Sequence, residues 1–400
     1  DNMAQSIQKI EQILIEKILP AWNNQYLVEP APFMEMIKKV TLREEIARGG
    51  AEIGVNGGFG FGTETGDTPN ANEQMYEDFK IRTVNMYHEL AFTDKATYLA
   101  DNAGSNAIFA TVQNELRTSY KACKWHVGRS LFMDSSGILA NIEAEATATN
   151  VLTVDNTKYI KEGVAIDIYK TGDAVGSAPA VANRRVLAVN RVTSTITISG
   201  TASTFSAGFI TVQNSYGLEL FGLGALFDTT NFTSVYGVQR SATKNTYLNP
   251  VIINAGGTLD NNKINNAIRD TYRIHNADID LVMFGDTAFD VFTEYLRIQN
   301  VTFAKDFVFK GGARGYEILY GNRVVKVVNE EFIPDNEIWG VDTSASEFHS
   351  TGWNLMRKGA ESGFNRIAGK AIYTGLLTNY GNLISSNPGG IFKMTNVTGI

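Results

Sequence analysis

The sequence has little cysteine, little charge and no long apolar run. Its 400 residues include one cysteine, Cys123, which excludes an intramolecular disulfide and a cysteine-based metal site. Charged residues make up 19% of the chain, against about a quarter in ordinary globular proteins. No apolar run approaches the roughly 18–20 residues that span a bilayer. A secretory signal is also missing, so we expect folding in a cytoplasm and no membrane partner.

The residue patterns that catalysis requires are missing as well. No Gly-x-Ser-x-Gly elbow occurs, and Cys123 falls on the core side of a predicted helix, where an inert thiol is expected. Adjacent acids such as Glu44 and Glu45 point in different directions, so they form no acid–base pair. The histidines lack metal-ligand spacing; they are His88, His126, His275 and His349. We therefore expect no catalytic residue, no metal and no cofactor, and we do not expect an enzyme.

Residues 1–48 predict an N-terminal arm with helical pieces. Ile7, Ile10, Leu14 and Ile18 recur at helical spacing. The stretch from Phe33 to Ala47 repeats the theme, which predicts a second amphipathic helix there. Such pieces can line a core or dock on a neighbouring molecule.

The next stretch, residues 49–92, predicts a long extended hairpin. It is too rich in glycine and too polar to build a core of its own, and Phe59 and Phe61 alternate along it. Phe79 and Ile81 begin the returning strand. A phosphate-binding loop would require a Walker lysine and an adjoining strand and helix, which this stretch lacks.

One long helix is predicted over residues 103–133. Its apolar residues recur every three or four positions along a single face; they are Ile108, Val112, Leu116, Tyr120, Cys123, Val127 and Leu131. Lys121, Lys124 and Arg129 lie in its second half, where we expect a solvated face.

The pattern then changes to short β-branched segments. Residues 141–214 predict five or more strands between Asn, Gly and Ser turns, which is typical of a small β-barrel or sandwich. Residues 255–335 mix two helices, Leu259–Tyr272 and Thr287–Ile298, with the buried strand Ile279–Phe284. A hairpin is expected around Gly321–Asn322, and the remaining chain is β-rich.

The order of these parts resembles the major capsid proteins of tailed double-stranded DNA bacteriophages, which share the Hong Kong 97-type fold. Short sequence segments support the resemblance over most of residues 40–400. They are Phe92-Thr93-Asp94-Lys95, Gly222-Leu223-Gly224-Ala225-Leu226-Phe227-Asp228, Tyr236-Gly237-Val238-Gln239-Arg240, Asp280–Phe284 with Phe289–Leu296, and Thr378–Pro388.

The resemblance implies an α+β fold with a known sequence of regions. These would be an arm (1–48), an extended hairpin loop (49–92), a peripheral domain with a spine helix (93–140, continued in 215–254), an inserted β-barrel domain (141–214), an apical domain (255–335) and a peripheral return (336–400). We expect the inserted domain to project separately, on the outer surface, with its two ends close together.

The implied function is structural. Copies of the chain would assemble into an icosahedral head shell, in hexamers and pentamers, found in the virion and assembled in the host cytoplasm. Partners would be portal, scaffold and decoration proteins, with only non-specific contact to packaged double-stranded DNA. Gly49, Gly50, Phe59, Phe61 and Phe79 are the expected subunit-interface residues. An encapsulin-type nanocompartment shell and a β-rich phage tail or adhesin protein remain alternatives.

The sequence also predicts a shell without covalent cross-links. Some capsids of this type join a lysine of the extended loop to an asparagine of a neighbour. Residues 51–79 contain no lysine, so that reaction would lack its nucleophile. Boiled mature particles should therefore give one band near 43.8 kDa on a denaturing gel. A ladder of multimers that survives reductant would contradict this, and Lys80 would be the first residue to replace.

Overall fold

The computed structural model describes residues 14–21, 31–42, 44–52, 58–67, 69–70, 76–93, 105–143, 146–205, 207–241, 243–298, 305–308, 314–320, 323–356 and 363–399. The chain divides into two compact units. Unit 1 comprises Asp1–Val127 and Leu226–Ile400, and unit 2 is Gly128–Ala225. The start of the arm, residues Asp94 and Lys95, and the turn Gly321–Asn322 lie outside the described residues.

The helices and strands of the described residues run as follows. The α-helices are α1 (Pro32–Met36), α2 (Ser105–Ser130), α3 (Leu223–Phe227), α4 (Asn261–His275) and α5 (Asp286–Ile298). The strands are β1 (Lys38–Thr41), β2 (Ile46–Glu52), β3 (Tyr76–Arg82), β4 (Val84–Thr93), β5 (Ile138–Ile142), β6 (Ala146–Thr149), β7 (Val151–Thr153), β8 (Ala165–Lys170), β9 (Val181–Asn190), β10 (Thr195–Ile198), β11 (Ser203–Phe205), β12 (Gly208–Val212), β13 (Ser234–Val235), β14 (Val238–Gln239), β15 (Val251–Thr258), β16 (Leu281–Phe284), β17 (Lys305–Val308), β18 (Arg314–Tyr320), β19 (Arg323–Asn329), β20 (Ile338–Val341), β21 (Ser346–Ser350), β22 (Asn354–Leu355), β23 (Phe364–Arg366), β24 (Ile372–Ser385) and β25 (Ile391–Gly399).

Unit 1 contains a seven-stranded mixed sheet in the order β15-β25-β20-β16-β19-β18-β17. The apolar stripes of α4 and α5 pack on it, with Ile264, Phe292 and Leu296 among the buried residues. Asp260 caps the start of α4 by accepting from the Asn262 N–H. Strand β25 comes from the end of the chain, so this sheet is wider than the apical region expected from the sequence alone.

The second sheet of unit 1 is organised around the long strand β24. This strand pairs antiparallel with β4 over ten residues, from Ile372 opposite Thr93 to Gly381 opposite Val84. It also pairs with β21, β22 and β23. The first strand, β1, pairs parallel with β21.

The pairing of β1 corrects one sequence expectation. The stretch from Phe33 to Ala47 is not a second helix, because α1 ends at Met36 and Lys38–Thr41 is a strand. Apolar residues in this stretch do recur at helical spacing, but only over a short segment. Its backbone hydrogen bonds go instead to β21, about 300 residues later in the chain.

Unit 2 is a small closed barrel. Its sheet runs β5-β12-β8-β9-β10-β7, and an antiparallel bridge between Ile142 and Val154 joins the two outer strands. Ile166, Val186 and Ile196 are among the residues of its apolar core. The strands named here pair only with one another, and β5 at the start of the unit lies beside β12 near its end.

Helix α2 confirms the predicted stripe where its side chains are described, since Leu116, Tyr120, Cys123 and Val127 are buried. The expectation for Arg129 is wrong. Its side chain is buried in unit 2, where Nη2 donates to Oε1 of Glu219. Lys121, in contrast, is exposed.

The buried pair generates a stability prediction. Arg129→Met should lower the free energy of unfolding by about 3–5 kcal/mol, because Glu219 would stay buried without its partner. Replacing both residues, Arg129→Met with Glu219→Met, should cost much less. Urea unfolding of the unassembled protein measures both. Equal losses of unfolding free energy in the single and double variants would contradict the view that the cost comes from the unpaired charge of Glu219.

Candidate functional site

The extended hairpin lies outside the larger sheets of the described residues. Strands β2 and β3 pair antiparallel over seven residues, from Ile46 opposite Arg82 to Glu52 opposite Tyr76. The ribbon forms a separate two-stranded sheet. A two-stranded ribbon is marginally stable by itself in water, so its attachment to the rest of unit 1 matters.

Five residues, which we call the hairpin foot, provide this attachment: Gly49, Phe79, Tyr236, Ile384 and Ser385. Gly49 lies opposite Phe79 in the ribbon, and a methyl group on Gly49 would lie 3.0 Å from Cδ1 of Ile384. The Phe79 ring is fully buried and lies 5.5 Å from the ring of Tyr236. The foot therefore packs the ribbon against strand β24.

Tyr236 is the central residue of the foot. Its carbonyl accepts from the Lys80 N–H at 3.1 Å, and its hydroxyl accepts from the Ser385 N–H at 3.0 Å. Burial raises the pKa of the Tyr236 phenol, so the hydroxyl stays neutral. Tyr236 and Gly237 both have positive φ, 50° and 87°, as a two-residue turn of the kind that joins β13 to β14 requires.

The hairpin tip, residues 58–67, is a closed loop. The Gly66 N–H donates to the Thr63 carbonyl at 3.1 Å, and Gly60 lies close against the Pro69 ring. Phe59 and Phe61 are 80% and 96% exposed. Their rings contact one another edge to face at 5.3 Å, so the tip displays an aromatic pair that its own chain does not cover.

The five expected interface residues thus separate into two groups. Phe59 and Phe61 are displayed at the tip, and they stay predicted interface residues. Gly49 and Gly50 lie in strand β2, with Gly49 packed at the foot. Phe79 is fully buried within its own chain, where it anchors the hairpin, and its contact with a neighbouring copy stays a prediction.

Sequence reasoning missed Tyr236 and Ile384 as part of this site. The Tyr236-Gly237 pair is a recognisable turn signal. Nothing near it in the chain indicates that its ring meets Phe79, which is 157 positions earlier by sequence number.

The described residues offer little reactive chemistry. Burial raises the pKa of the Cys123 thiol to about 12, so it remains protonated and unreactive at neutral pH. In the part of the chain that the structure describes, no group of three or more His, Cys, Asp or Glu residues is placed to hold a metal ion. No helix among the described residues is long and apolar enough to cross a membrane.

Solved structures show which fold this is. The chain superposes on the capsid asymmetric unit of cyanophage A-1(L) with a TM-score of 0.52 and 12% identity, over 93% of this chain and 94% of that one. The chain has the phage capsid fold. The holo-SrpI encapsulin complex from Synechococcus elongatus is also similar, with a TM-score of 0.47, 8% identity and coverage of 92% and 88%. The capsid of an empty GTA particle has a TM-score of 0.45, 10% identity and coverage of 93% and 91%.

No protein-family model matches the sequence, and neither does any curated protein. The likeness therefore lies in the fold. The α+β capsid fold expected from the order of the parts is confirmed over nearly the whole chain, and the expected β-barrel is present in unit 2.

The two phenylalanine environments give a matched pair of predictions. Phe79→Ala should lower the free energy of unfolding of the unassembled protein by about 3–5 kcal/mol, because it opens a cavity at the foot. Phe61→Ala should change it by less than about 0.5 kcal/mol, since the ring is almost fully exposed. Chemical denaturation measures both. Similar losses in the two variants would contradict the division into foot and tip.

Proposed function

We propose that this chain is the major capsid protein of a tailed double-stranded DNA bacteriophage. Copies would assemble into an icosahedral head shell that encloses the genome, as a structural protein without catalysis. The observation that carries the proposal is the capsid fold, which matches the cyanophage capsid chain over 94% of its length.

The hairpin supports the proposal independently. Its tip exposes two phenylalanines that the chain itself does not cover. Surfaces of this kind are typical of protein contacts, and a stable shell requires large interfaces between copies. We propose that Phe59 and Phe61 contact a neighbouring copy. Gly49 and Gly50 would allow the ribbon to bend differently in the different positions that copies occupy in a shell.

The charge of the chain fits a container for DNA. Its formal net charge is -7, so packaged DNA would be repelled on balance rather than held tightly. We propose only non-specific contact with DNA, with portal, scaffold and decoration proteins as the other partners. The location would be the virion, after assembly in the host cytoplasm.

Electron microscopy under assembly conditions tests the proposal. The full chain should form closed icosahedral shells. A variant in which an Asn-Gly turn replaces residues 53–75 should form none, because it keeps the ribbon pairs up to Glu52–Tyr76 but lacks the tip. The same variant should show the helix content and cooperative unfolding of the intact chain.

Two results would contradict parts of the proposal. Normal shells from the tip variant would contradict the role of the hairpin in assembly, and an intact chain that stays monomeric at all concentrations would contradict the formation of a shell. Shells isolated from the native host should contain DNA. A protein cargo in place of DNA would indicate the encapsulin-type alternative.

A further inference from the structure

The net charge of the chain is concentrated in the hairpin. Residues 51–79 contain six acidic residues and no lysine or arginine. The whole chain has 42 acidic and 35 basic residues, so the rest of it, with 36 acidic and 35 basic residues, is nearly neutral. At the tip, Glu64 and Asp67 are exposed beside the aromatic pair.

A stretch of the opposite sign lies in unit 2. Residues 174–218 contain Arg184, Arg185 and Arg191 and no acidic residue. Arg184 is used within the unit, because its Nη1 donates to the Ser199 carbonyl at 3.0 Å. Arg185 and Arg191 are exposed, and neither forms an ion pair with any other described residue.

Two exposed aliphatic residues lie between and beside these arginines in the sequence. Leu187 is 56% exposed and Val192 is 94% exposed. The register of β9 against β10 shifts at this place, since Ile198 faces Val186 whereas Thr197 faces Ala188. Leu187 is therefore left out of the ladder at a bulge. We call Arg185, Leu187, Arg191 and Val192 the arginine strip.

We propose that the hairpin tip of one copy docks on the arginine strip of a second copy of this chain. The inference rests on the proposed function, because it requires that copies assemble. It assigns to the inserted barrel a role that its fold alone does not indicate.

Two kinds of complementarity support this partner. The guanidinium groups of Arg185 and Arg191 can pair with the carboxylates of Glu64 and Asp67 and can lie over aromatic rings. Leu187 and Val192 provide an apolar cover for Phe59 and Phe61. The aliphatic side chains favour a protein partner over a nucleic acid, because the affinity for nucleic acid comes mainly from contacts between basic side chains and phosphates.

The experiment is a charge swap in the full-length chain. Arg185→Glu with Arg191→Glu should raise the protein concentration needed for shell assembly about tenfold, and Glu64→Arg with Asp67→Arg should do the same. All four substitutions together should return it to near the wild-type value, because each charge again meets its opposite. Light scattering and electron microscopy give the readout, and circular dichroism checks that every variant folds.

Lys170→Glu is the matched control. Lys170 is exposed at the end of β8 in the same unit, outside the strip, so its reversal should leave assembly unchanged. The inference would be overturned if both double variants assembled like the wild type. It would also be overturned if the fourfold variant lost as much assembly as the two double variants taken together. The second result is also what a DNA partner would give. If the wild-type chain forms no shells, the proposed function itself is contradicted, whatever the charge-swap variants do.

Discussion

The packing of Phe79 between the hairpin and strand β24 is the contact on which the proposed assembly depends. It holds a two-stranded ribbon that could not persist alone, and Tyr236 adds a backbone contact to each side, at Lys80 and at Ser385. The described tip beyond this foot, residues 58–67, has no core of its own. The same chain thus combines a buried anchor with an aromatic tip that remains uncovered.

This division is compatible with the proposed assembly, because different parts of the chain stabilise one copy and stay exposed. The sheet and barrel cores bury the aliphatic side chains that stabilise a single copy. The tip contributes almost nothing to that stability, so its aromatic and acidic residues are free to serve contacts between copies. An exposed tip of this kind fits the proposed shell subunit.

Much of this fold follows from local patterns. The stripe through Leu116, Cys123 and Val127 predicts helix α2, and period-two segments predict the barrel strands, because both patterns depend on neighbours within one element. The hairpin follows from its glycines and from its lack of core residues. The order of these elements resembles that of phage capsid proteins, and the resemblance implies the fold.

What the sequence could not predict depends on partners far away in the chain. Arg129 looks like a surface residue until Glu219 is placed beside it, and Lys38–Thr41 looks helical until β21 is available for pairing. The burial of Phe79 could not be predicted for the same reason, since its cover, Tyr236, comes from another segment. Each of these differences concerns a tertiary contact that local spacing does not contain.

Limited chymotrypsin digestion before and after assembly tests the central claim most directly. The account predicts rapid cleavage at Phe59 and Phe61 in the unassembled protein and strong protection of both sites in shells. Phe79, at the foot, should resist cleavage in both states. Equal cleavage at the tip before and after assembly would contradict the claim that a second copy covers it.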